Sequence, residues 1–383
     1  MKLNLKLYNQ VLLSFEYNNL PLSGEECRIL WVDENNKNLL PIGLKLTEKG
    51  IISWLKSRVI PKNREYVESF LAKLGLSTND TLGIIRICKG LSLNDSYWVV
   101  EDGFDGKFEN YNLYENRFSR ALAMIAYTGH GSSVARGFTS SPEFTTNGML
   151  KKCWRRVDGK IYLYKGGTMG AANTGKEPYS EFYAAQIAQT MGIKHVEYNL
   201  RQWKGMLSSV CELFTDINTA YVPIWRFVEK DSLLAIAQLL KDYGEEFYNE
   251  FADMLVFDAL IFNTDRHTGN FGLLVDSHTN KVKAFAPVFD NGLSLFNFAM
   301  EDDLADIGNY SKTRKPAMGG SYEEVVGAFI SERQRAMLRK MINFKFTLHP
   351  RYNLPKSRLK IIEKFLQSRV REPVSYTHLT LPT

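Results

Sequence analysis

The first part of the chain alternates short apolar runs with polar and turn-forming residues, a pattern typical of strands. After Pro61, apolar side chains recur at helical spacing until Gly75, which predicts one helix near residues 62–74. The stretches 83–92 and 95–103 are predicted as strands or short buried segments, because β-forming residues are interrupted by glycine in both.

Farther along, β-forming residues flank the turn-forming pair Asp158-Gly159, which predicts a hairpin that ends at Lys165. Apolar residues at positions i, i+1, i+4, i+5 and i+8 then predict a helix over residues 179–191, which Gly192 ends. This hairpin followed by a helix begins a second structural region.

A longer apolar pattern over residues 247–262 predicts a helix that runs directly into the polar segment 263–270. Two β-forming stretches, 271–275 and 282–288, predict a pair of strands joined by a turn. From about residue 320 the pattern is mainly helical. Strands and helices in separate runs predict an α+β fold.

The length of 383 residues allows two or three structural units. A passage rich in Gly, Asn and Glu at residues 103–116 predicts a linker, and we place a boundary near residue 116. Residues 374–383 carry neither charge nor a periodic pattern, so we predict a vector-derived tail there.

Composition favours a folded protein, since 44% of residues are hydrophobic and 23% are charged, which excludes disordered, collagen-like and coiled-coil classes. The 48 basic and 42 acidic residues give a net charge of 48 − 42 = +6, which is weak evidence for nucleic-acid binding. No apolar run is long enough to span a membrane, and the first ten residues lack a signal-peptide core, so we expect a cytoplasmic protein without a membrane partner. The widely spaced cysteines are predicted to be reduced and mostly buried: Cys27, Cys88, Cys153 and Cys211.

The densest polar cluster is the segment 263–270, between the predicted long helix and a strand. It contains Asp265 and, five residues later, Asn270, while Asp290 follows the next strand pair. Magnesium prefers oxygen ligands, and an acceptor hydroxyl needs a nearby carboxylate, so this set predicts magnesium-dependent phosphoryl transfer. The alternative is an ordinary turn, because Asn, Asp, Gly and Thr are common turn formers.

Phosphoryl transfer also requires a cation for the nucleotide phosphates. Lys165 ends the predicted hairpin and Glu181 lies at the start of the next helix, and together they could form the ion pair that kinases use. The segment Thr145–Lys152 precedes this strand and could present backbone N–H groups to phosphate.

These motifs resemble HipA-like kinases, a bacterial family with a two-lobed protein-kinase-like fold known from toxin–antitoxin pairs. The resemblance rests on NTDRHTGNFGLL followed by APVFDNG, and it covers roughly residues 140–345. It implies that Asp265 is the catalytic base, that Asn270 and Asp290 bind magnesium, and that Lys165 and Glu181 form the nucleotide ion pair. The other residues expected to bind ATP by this resemblance are Thr146, Asn147, Gly148, Glu212 and Phe214.

The resemblance also implies a domain organisation: an N-terminal subdomain (1–115), a kinase N-lobe (116–215), a mostly helical C-lobe (216–370) and the non-native tail (371–383). It implies a serine/threonine kinase that uses ATP and Mg²⁺, a protein substrate, and an antitoxin-like or DNA-binding partner. Thr145 lies three residues before Gly148, which makes it the candidate for self-phosphorylation. The chain departs from the family in having only one glycine in Thr145–Lys152.

Two other classes compete with the kinase. Residues 170–176 nearly form a Walker A loop, but Glu177 stands where a P-loop NTPase needs Ser or Thr, and Pro178 is expected to separate the loop from the next helix. The second class is a DNA-binding transcriptional regulator with a degenerate kinase fold. It would use basic residues of the first domain in a helix-turn-helix: Lys56, Arg58, Lys62 and Arg64.

Overall fold

The computed structural model describes residues 1–20, 24–131, 141–230 and 232–371. In chain order, its strands are β1 (Lys2–Leu7), β2 (Gln10–Leu20), β3 (Gly24–Val32), β4 (Tyr97–Glu101), β5 (Lys152–Val157), β6 (Lys160–Gly166), β7 (Asn199–Trp203), β8 (Met206–Glu212), β9 (Thr219–Pro223), β10 (Gly272–Asp276) and β11 (Val282–Phe285). Its helices are α1 (Glu48–Lys56), α2 (Val67–Ala72), α3 (Thr81–Cys88), α4 (Arg120–Thr128), α5 (Glu177–Met191), α6 (Leu233–Tyr243), α7 (Glu245–Ile261), α8 (Glu301–Ala305), α9 (Ile307–Lys312), α10 (Tyr322–Phe329), α11 (Glu332–Arg339) and α12 (Lys356–Arg371).

The chain divides into two compact units. Unit 1 comprises Met1–Lys165, Glu212–Val222 and Leu273–Lys283. Unit 2 comprises Gly166–Cys211, Pro223–Gly272 and the residues from Ala284 onward. The domain boundaries expected at residues 115 and 215 stay predictions, and the expected tail after Arg371 lies outside the described residues.

Unit 1 begins with an antiparallel sheet of four strands in the order β3-β2-β1-β4. Alternate side chains of β1 and β2, such as Leu3, Leu5 and Phe15, are buried, so one face of the sheet forms a core. Trp54 of α1 and Phe70 of α2 belong to the same core. The β-forming pattern at the start of the chain is therefore confirmed.

The helix expected over residues 62–74 is present but shorter, as α2 begins only at Val67. Tyr66 has a left-handed backbone with φ of 64°, which cannot belong to a right-handed helix. The expectation of strands or short buried segments was wrong for residues 83–88, which belong to α3, whereas β4 confirms a strand within residues 95–103. The Asp80 carboxylate accepts a hydrogen bond from the Gly83 N–H at 2.8 Å, and this cap stabilises the helix start.

Residues 103–116 consist of turns and a short 3₁₀ segment, but they do not form an exposed linker. Phe108 and Leu113 are buried with Trp98 in a second apolar cluster of unit 1. The Gly-, Asn- and Glu-rich composition therefore indicated irregular backbone correctly.

The β5–β6 hairpin is confirmed, with Lys152 opposite Lys165 at its open end. Asp158 and Gly159 both have positive φ, 51° and 81°, as the turn of a two-residue hairpin requires. The strand pair expected after residue 270 is also confirmed, as β10 and β11 pair in a three-stranded sheet with β9.

Unit 2 contains α5, which begins two residues before the expected start and ends at Met191 before Gly192 as expected. The long apolar helix is α7, and the helical end of the chain is confirmed by α10, α11 and α12. None of the described helices combines the length and apolar character needed to cross a bilayer. Cys27, Cys88 and Cys153 are buried free thiols, and Cys211 is partly buried.

Candidate functional site

The backbone at the end of α7 gives the polar segment that follows a defined direction. Phe262 adopts a left-handed conformation with φ of 53°, which ends the helix. The fully buried Asn263 then donates its backbone N–H to the Asp258 carbonyl at 3.0 Å and its side-chain amide to the Asp258 carboxylate at 2.9 Å. The buried helix end therefore orients the residues that follow.

Asp265 and Asn270 belong to one turn. The Asp265 carbonyl accepts hydrogen bonds from the His267 N–H at 2.8 Å and from the Asn270 side-chain amide at 2.9 Å. The Asp265 N–H donates to the Asn263 side-chain oxygen at 3.1 Å. Asn270 is buried, whereas Asp265 is partly exposed. The structure thus holds the expected base and one expected metal ligand together.

Arg266 ties this turn to its surroundings. Its guanidinium donates to the Asp258 carboxylate at 2.8 and 3.1 Å, to the Asn270 carbonyl at 2.9 Å and to the Asn291 side chain at 2.6 Å. It also donates to the Phe289 carbonyl. Burial alone would lower the pKa of Arg266, but the nearby Asp258 carboxylate reverses this effect and the pKa is raised. The arginine therefore stays charged and fully hydrogen-bonded.

Asp290 lies next to these partners, in the segment that follows β11. Its backbone is left-handed, with φ of 55°, and its N–H donates to the Tyr198 hydroxyl at 3.2 Å. The N–H of the next residue, Asn291, donates to the fully buried Glu181 carboxylate at 2.7 Å. Burial and the charge of Glu181 raise the pKa of Tyr198 well above its ordinary value, so its hydroxyl stays protonated. Unit 2 therefore brings Glu181 to the segment that carries Asp290.

The oxygen chemistry of Asn270 and Asp290 fits magnesium. The Asn270 amide N–H₂ donates to the Asp265 carbonyl, so the side-chain oxygen is the atom that could hold a metal ion. Within the described residues, no three His, Cys, Asp or Glu side chains form a metal-binding cluster. An amide and a carboxylate suit a magnesium ion that takes its other ligands from phosphate and water.

In unit 1, the expected phosphate-binding residues lie in the loop before β5. The Thr146 hydroxyl donates to the Pro142 carbonyl at 2.6 Å and accepts from the Trp154 indole at 2.8 Å. Asn147 and Gly148 are exposed, and Gly148 has φ of 94°. The buried Lys152 donates to the Asn147 carbonyl at 2.6 Å. A buried lysine therefore lies at an exposed turn.

Thr145 is buried, and its hydroxyl donates to the Leu91 carbonyl at 2.8 Å. Lys165 lies at the end of β6, in unit 1, whereas Glu181 belongs to unit 2, so their ion pair stays a prediction. Glu212 forms an ion pair with Lys160 at 2.8 Å, and Phe214 packs edge-on against Tyr221. The chain passes from unit 2 to unit 1 between Cys211 and Glu212.

No protein-family model matches the chain. A serine/threonine-protein kinase of Helicobacter pylori strain J99, CtkA, is 28% identical over 134 residues, which cover 31% of this chain. The match spans only 40% of the length of that relative. The crystal structure of the proinflammatory kinase CtkA of H. pylori aligns with a TM-score of 0.41 at 19% identity, covering 59% of this chain and 90% of that chain.

A second solved structure is the HipA–HipB toxin–antitoxin complex with its operator DNA from Shewanella oneidensis MR-1. It aligns with a TM-score of 0.54 at 12% identity and covers 96% of both chains. The chain has a HipA-like kinase fold. The resemblance and the α+β fold class drawn from the sequence are therefore confirmed.

Within this HipA-like fold, the near-Walker loop of residues 170–176 leads directly into α5. The expectation that Pro178 separates it from the helix was wrong, because α5 begins at Glu177 and accommodates Pro178 in its first turn. The buried Glu177 carboxylate accepts from the Thr168 N–H at 3.2 Å and from the Thr168 hydroxyl at 2.6 Å. A carboxylate therefore occupies the helix start where a P-loop binds phosphate.

In this fold, two of the four basic side chains that a helix-turn-helix would use are buried and therefore not available to contact DNA. Arg58 is buried against the Asp95 carboxylate at 2.6 Å, and Arg64 is buried as well. Lys56 pairs with Glu25, and Lys62 donates to Asn79 at 2.5 Å. These contacts count against DNA binding through this segment.

The sequence analysis missed Asp258, Arg266 and Tyr198, which position the expected site residues. A charged residue within the otherwise apolar last turns of α7, residues 254–261, was a usable signal for Asp258, since a buried carboxylate needs a partner. Arg266 lies inside the polar motif, but its partners lie up to 25 residues away, beyond the reach of local spacing.

Proposed function

We propose that this HipA-like chain is an ATP- and Mg²⁺-dependent kinase that transfers the γ-phosphate to a serine or threonine hydroxyl of a protein. The observation that carries the proposal is the bonding of Arg266, which joins the turn of Asp265 and Asn270 to the segment of Asp290. A kinase needs its base and its metal ligands at one fixed place. The similarity to a curated serine/threonine-protein kinase supports the same activity.

In this proposal, the partly exposed Asp265 carboxylate accepts the proton of the acceptor hydroxyl. The Asn270 side-chain oxygen and the Asp290 carboxylate hold magnesium, and Mg²⁺ supplies charge neutralisation of the nucleotide phosphates. Asp258 and Arg266 take no part in proton transfer but fix the backbone of both segments. Because their geometry is formed in advance, little reorganisation is needed during the reaction.

The nucleotide itself is proposed to bind through the residues that the family resemblance assigns to it. Lys165 would contact the α- and β-phosphates with Glu181 as its partner, and Thr146, Asn147 and Gly148 would contribute loop N–H groups. The segment Val210–Phe214, with Glu212 and Phe214, would hold the adenine.

The partner of this kinase is proposed to be an antitoxin-like, DNA-binding protein. The HipA structure from S. oneidensis contains HipB and operator DNA, which favours this class of partner. The alternative is that the chain is itself a DNA-binding regulator with a degenerate kinase fold. The burial of Arg58 and Arg64 favours the kinase over this alternative.

Phosphate transfer from radiolabelled ATP to the chain itself and to casein tests the proposal. We expect magnesium-dependent transfer by the wild type and a loss of 10²–10⁴-fold, to order of magnitude, in Asp265→Asn. Asp276→Asn is the matched control, because Asp276 ends β10 and its carboxylate accepts hydrogen bonds from the His278 N–H and the Thr279 hydroxyl of the β10–β11 turn. No transfer by the wild type, together with tight binding of a DNA duplex, would favour the regulator instead.

Self-phosphorylation of Thr145 forms part of the proposal. A phosphate would bring a charge of about −1.5 to −2, which cannot stay in the buried position of this side chain. The Thr145 hydroxyl must first leave the Leu91 carbonyl, so the loop has to open. After incubation with ATP and Mg²⁺, we expect phosphate on the peptide that contains Thr145 and a loss of activity with time. Asp265→Asn should stay unmodified. A wild type that phosphorylates another substrate but carries no phosphate on residues 138–152 would exclude inactivation through this loop.

A further inference from the structure

Two consecutive residues of the N-terminal part of unit 1, Arg64 and Glu65, contact both ends of the loop before β5. The Arg64 guanidinium donates to the Thr146 carbonyl at 2.8 Å. The Glu65 N–H donates to the Met149 carbonyl at 2.8 Å. The Glu65 carboxylate accepts from the Lys151 N–H at 3.3 Å and lies 3.4 Å from the Lys151 ammonium. Arg64 and Glu65 therefore contact the loop at three residues: Thr146, Met149 and Lys151.

These bonds determine which way the loop presents its backbone. In a trans peptide, the carbonyl of one residue and the N–H of the next point in opposite directions. Binding of the Thr146 carbonyl by Arg64 therefore turns the Asn147 N–H away from Arg64. In the same way, the hydrogen bond from the Glu65 N–H to the Met149 carbonyl turns the Leu150 N–H away from Glu65. Neither N–H has an acceptor among the residues that the structure describes.

The hydrogen bonding of the Arg64 guanidinium is incomplete. Its side chain is buried, yet its Nε and Nη2 atoms lack a hydrogen-bond partner within the described part of the chain. Arg58, equally buried in the same unit, donates to the Asp95 carboxylate, to the Gly90 carbonyl and to the Tyr97 carbonyl. A buried cation with incomplete bonding costs folding free energy, so its one bond to the loop indicates a role there.

We propose that Arg64 and Glu65 are positioning residues that aim the N–H groups of Asn147 and Leu150 at the nucleotide phosphates. This gives the N-terminal subdomain a direct part in nucleotide binding. The inference rests on the proposed kinase function, because it takes the loop as the phosphate-binding element. It also assigns the loop's geometry to contacts from a distant part of the sequence, in place of the glycines that the loop lacks.

Hydrogen exchange of the peptides covering residues 141–157, measured without nucleotide, tests whether Arg64 and Glu65 restrain the loop. We expect the loop amides to exchange about tenfold faster in Arg64→Met, because one charge-assisted hydrogen bond is lost. Arg64→Lys, which keeps a donor, should restore part of the protection. Arg58→Lys is the control, since Arg58 is buried without touching the loop. If Arg64→Met fails to fold, Glu65→Gln replaces it, because the Glu65 side chain is 28% exposed.

Calorimetric measurement of Mg·ATP and adenosine binding then tests whether the contacts of Arg64 and Glu65 with the loop serve phosphate binding. The variants should bind Mg·ATP about tenfold more weakly and adenosine as tightly as wild type, because adenosine has no phosphate for the loop. A purely structural role would weaken both ligands together. If wild-type protein binds no Mg·ATP, the proposed function fails. If it binds and the variants bind equally well, or loop exchange is unchanged, the function stands and this inference is wrong.

Discussion

Two buried arginines lie beside the two candidate parts of the site, and their bonding differs. Arg266 in unit 2 donates to two carbonyls, a side-chain amide and a carboxylate. Arg64 in unit 1 makes one bond, to the Thr146 carbonyl, and two of its nitrogen atoms lack partners among the described residues. The pKa of Arg266 is raised by Asp258, whereas burial lowers the pKa of Arg64 to about 10.

The difference separates two ways of building a site. The segments proposed as catalytic are fixed by a complete set of hydrogen bonds to Arg266, which would suit residues that must not move during proton transfer and metal binding. The loop before β5 is held through its backbone by Arg64 and Glu65, which would suit the nucleotide-binding loop that we propose. The variants below test this contrast.

The largest effect is expected for Arg266→Met. The substitution leaves the Asp258 carboxylate buried without its cation, which costs about 3–5 kcal/mol in the free energy of unfolding. Urea denaturation measures this loss. Arg339→Met is the control, since the Arg339–Glu332 pair is exposed and worth less than about 1 kcal/mol. A loss equal to that of the control would mean that the Arg266 bonds do not fix the catalytic segments.

A smaller effect is expected for the coupling of Lys165 and Glu181. Lys165→Ala should remove the contact to the phosphates, and Glu181→Ala should leave Lys165 badly oriented. The double variant should therefore lose less activity than the sum of the two single losses, with a coupling of about 0.5–3 kcal/mol. Glu181 also accepts the Asn291 N–H, so the Glu181 variant should affect magnesium dependence as well. Strictly additive losses in phosphate transfer would argue against the pair.

The sequence predicted the catalytic region better than the loop for a physical reason. The helix α7, the turn 263–270 and the strands β10 and β11 follow one another, so local periodicity and turn-forming residues were sufficient signals. The loop depends on Arg64, which lies 82 residues before its partner Thr146. Likewise, α3 was missed because its isoleucines favour strands, while the cap from Asp80 and the burial of Ile84 and Ile85 favour the helix.

The segment before β5 should also make the free energy of unfolding depend on pH. Burial raises the pKa of Glu143 above its ordinary value of 4.5, although the hydrogen bond from Ser141 acts in the opposite direction. Between these two pKa values, the folded state keeps a proton that the unfolded state has released. The contribution of Glu143 to stability is then fully present below pH 4.5 and is lost as the pH rises through the raised value. Glu143→Gln should flatten this part of the stability curve in acid and neutral buffers. A slope identical to that of the wild type would exclude Glu143 as its source.

The smallest effect on stability is expected for Arg64→Met. The substitution gives up one bond to the Thr146 carbonyl but also removes a buried charge with two unpartnered nitrogens. These contributions oppose each other, so the free energy of unfolding should stay within about 1 kcal/mol of wild type. Arg58→Met provides the contrast, because it leaves the Asp95 carboxylate without its cation. Its free energy of unfolding should fall several times more in the same urea titration. Equal losses in the two variants would show that Arg64 is needed for folding, and its bond to the loop could then no longer be separated from the stability of unit 1.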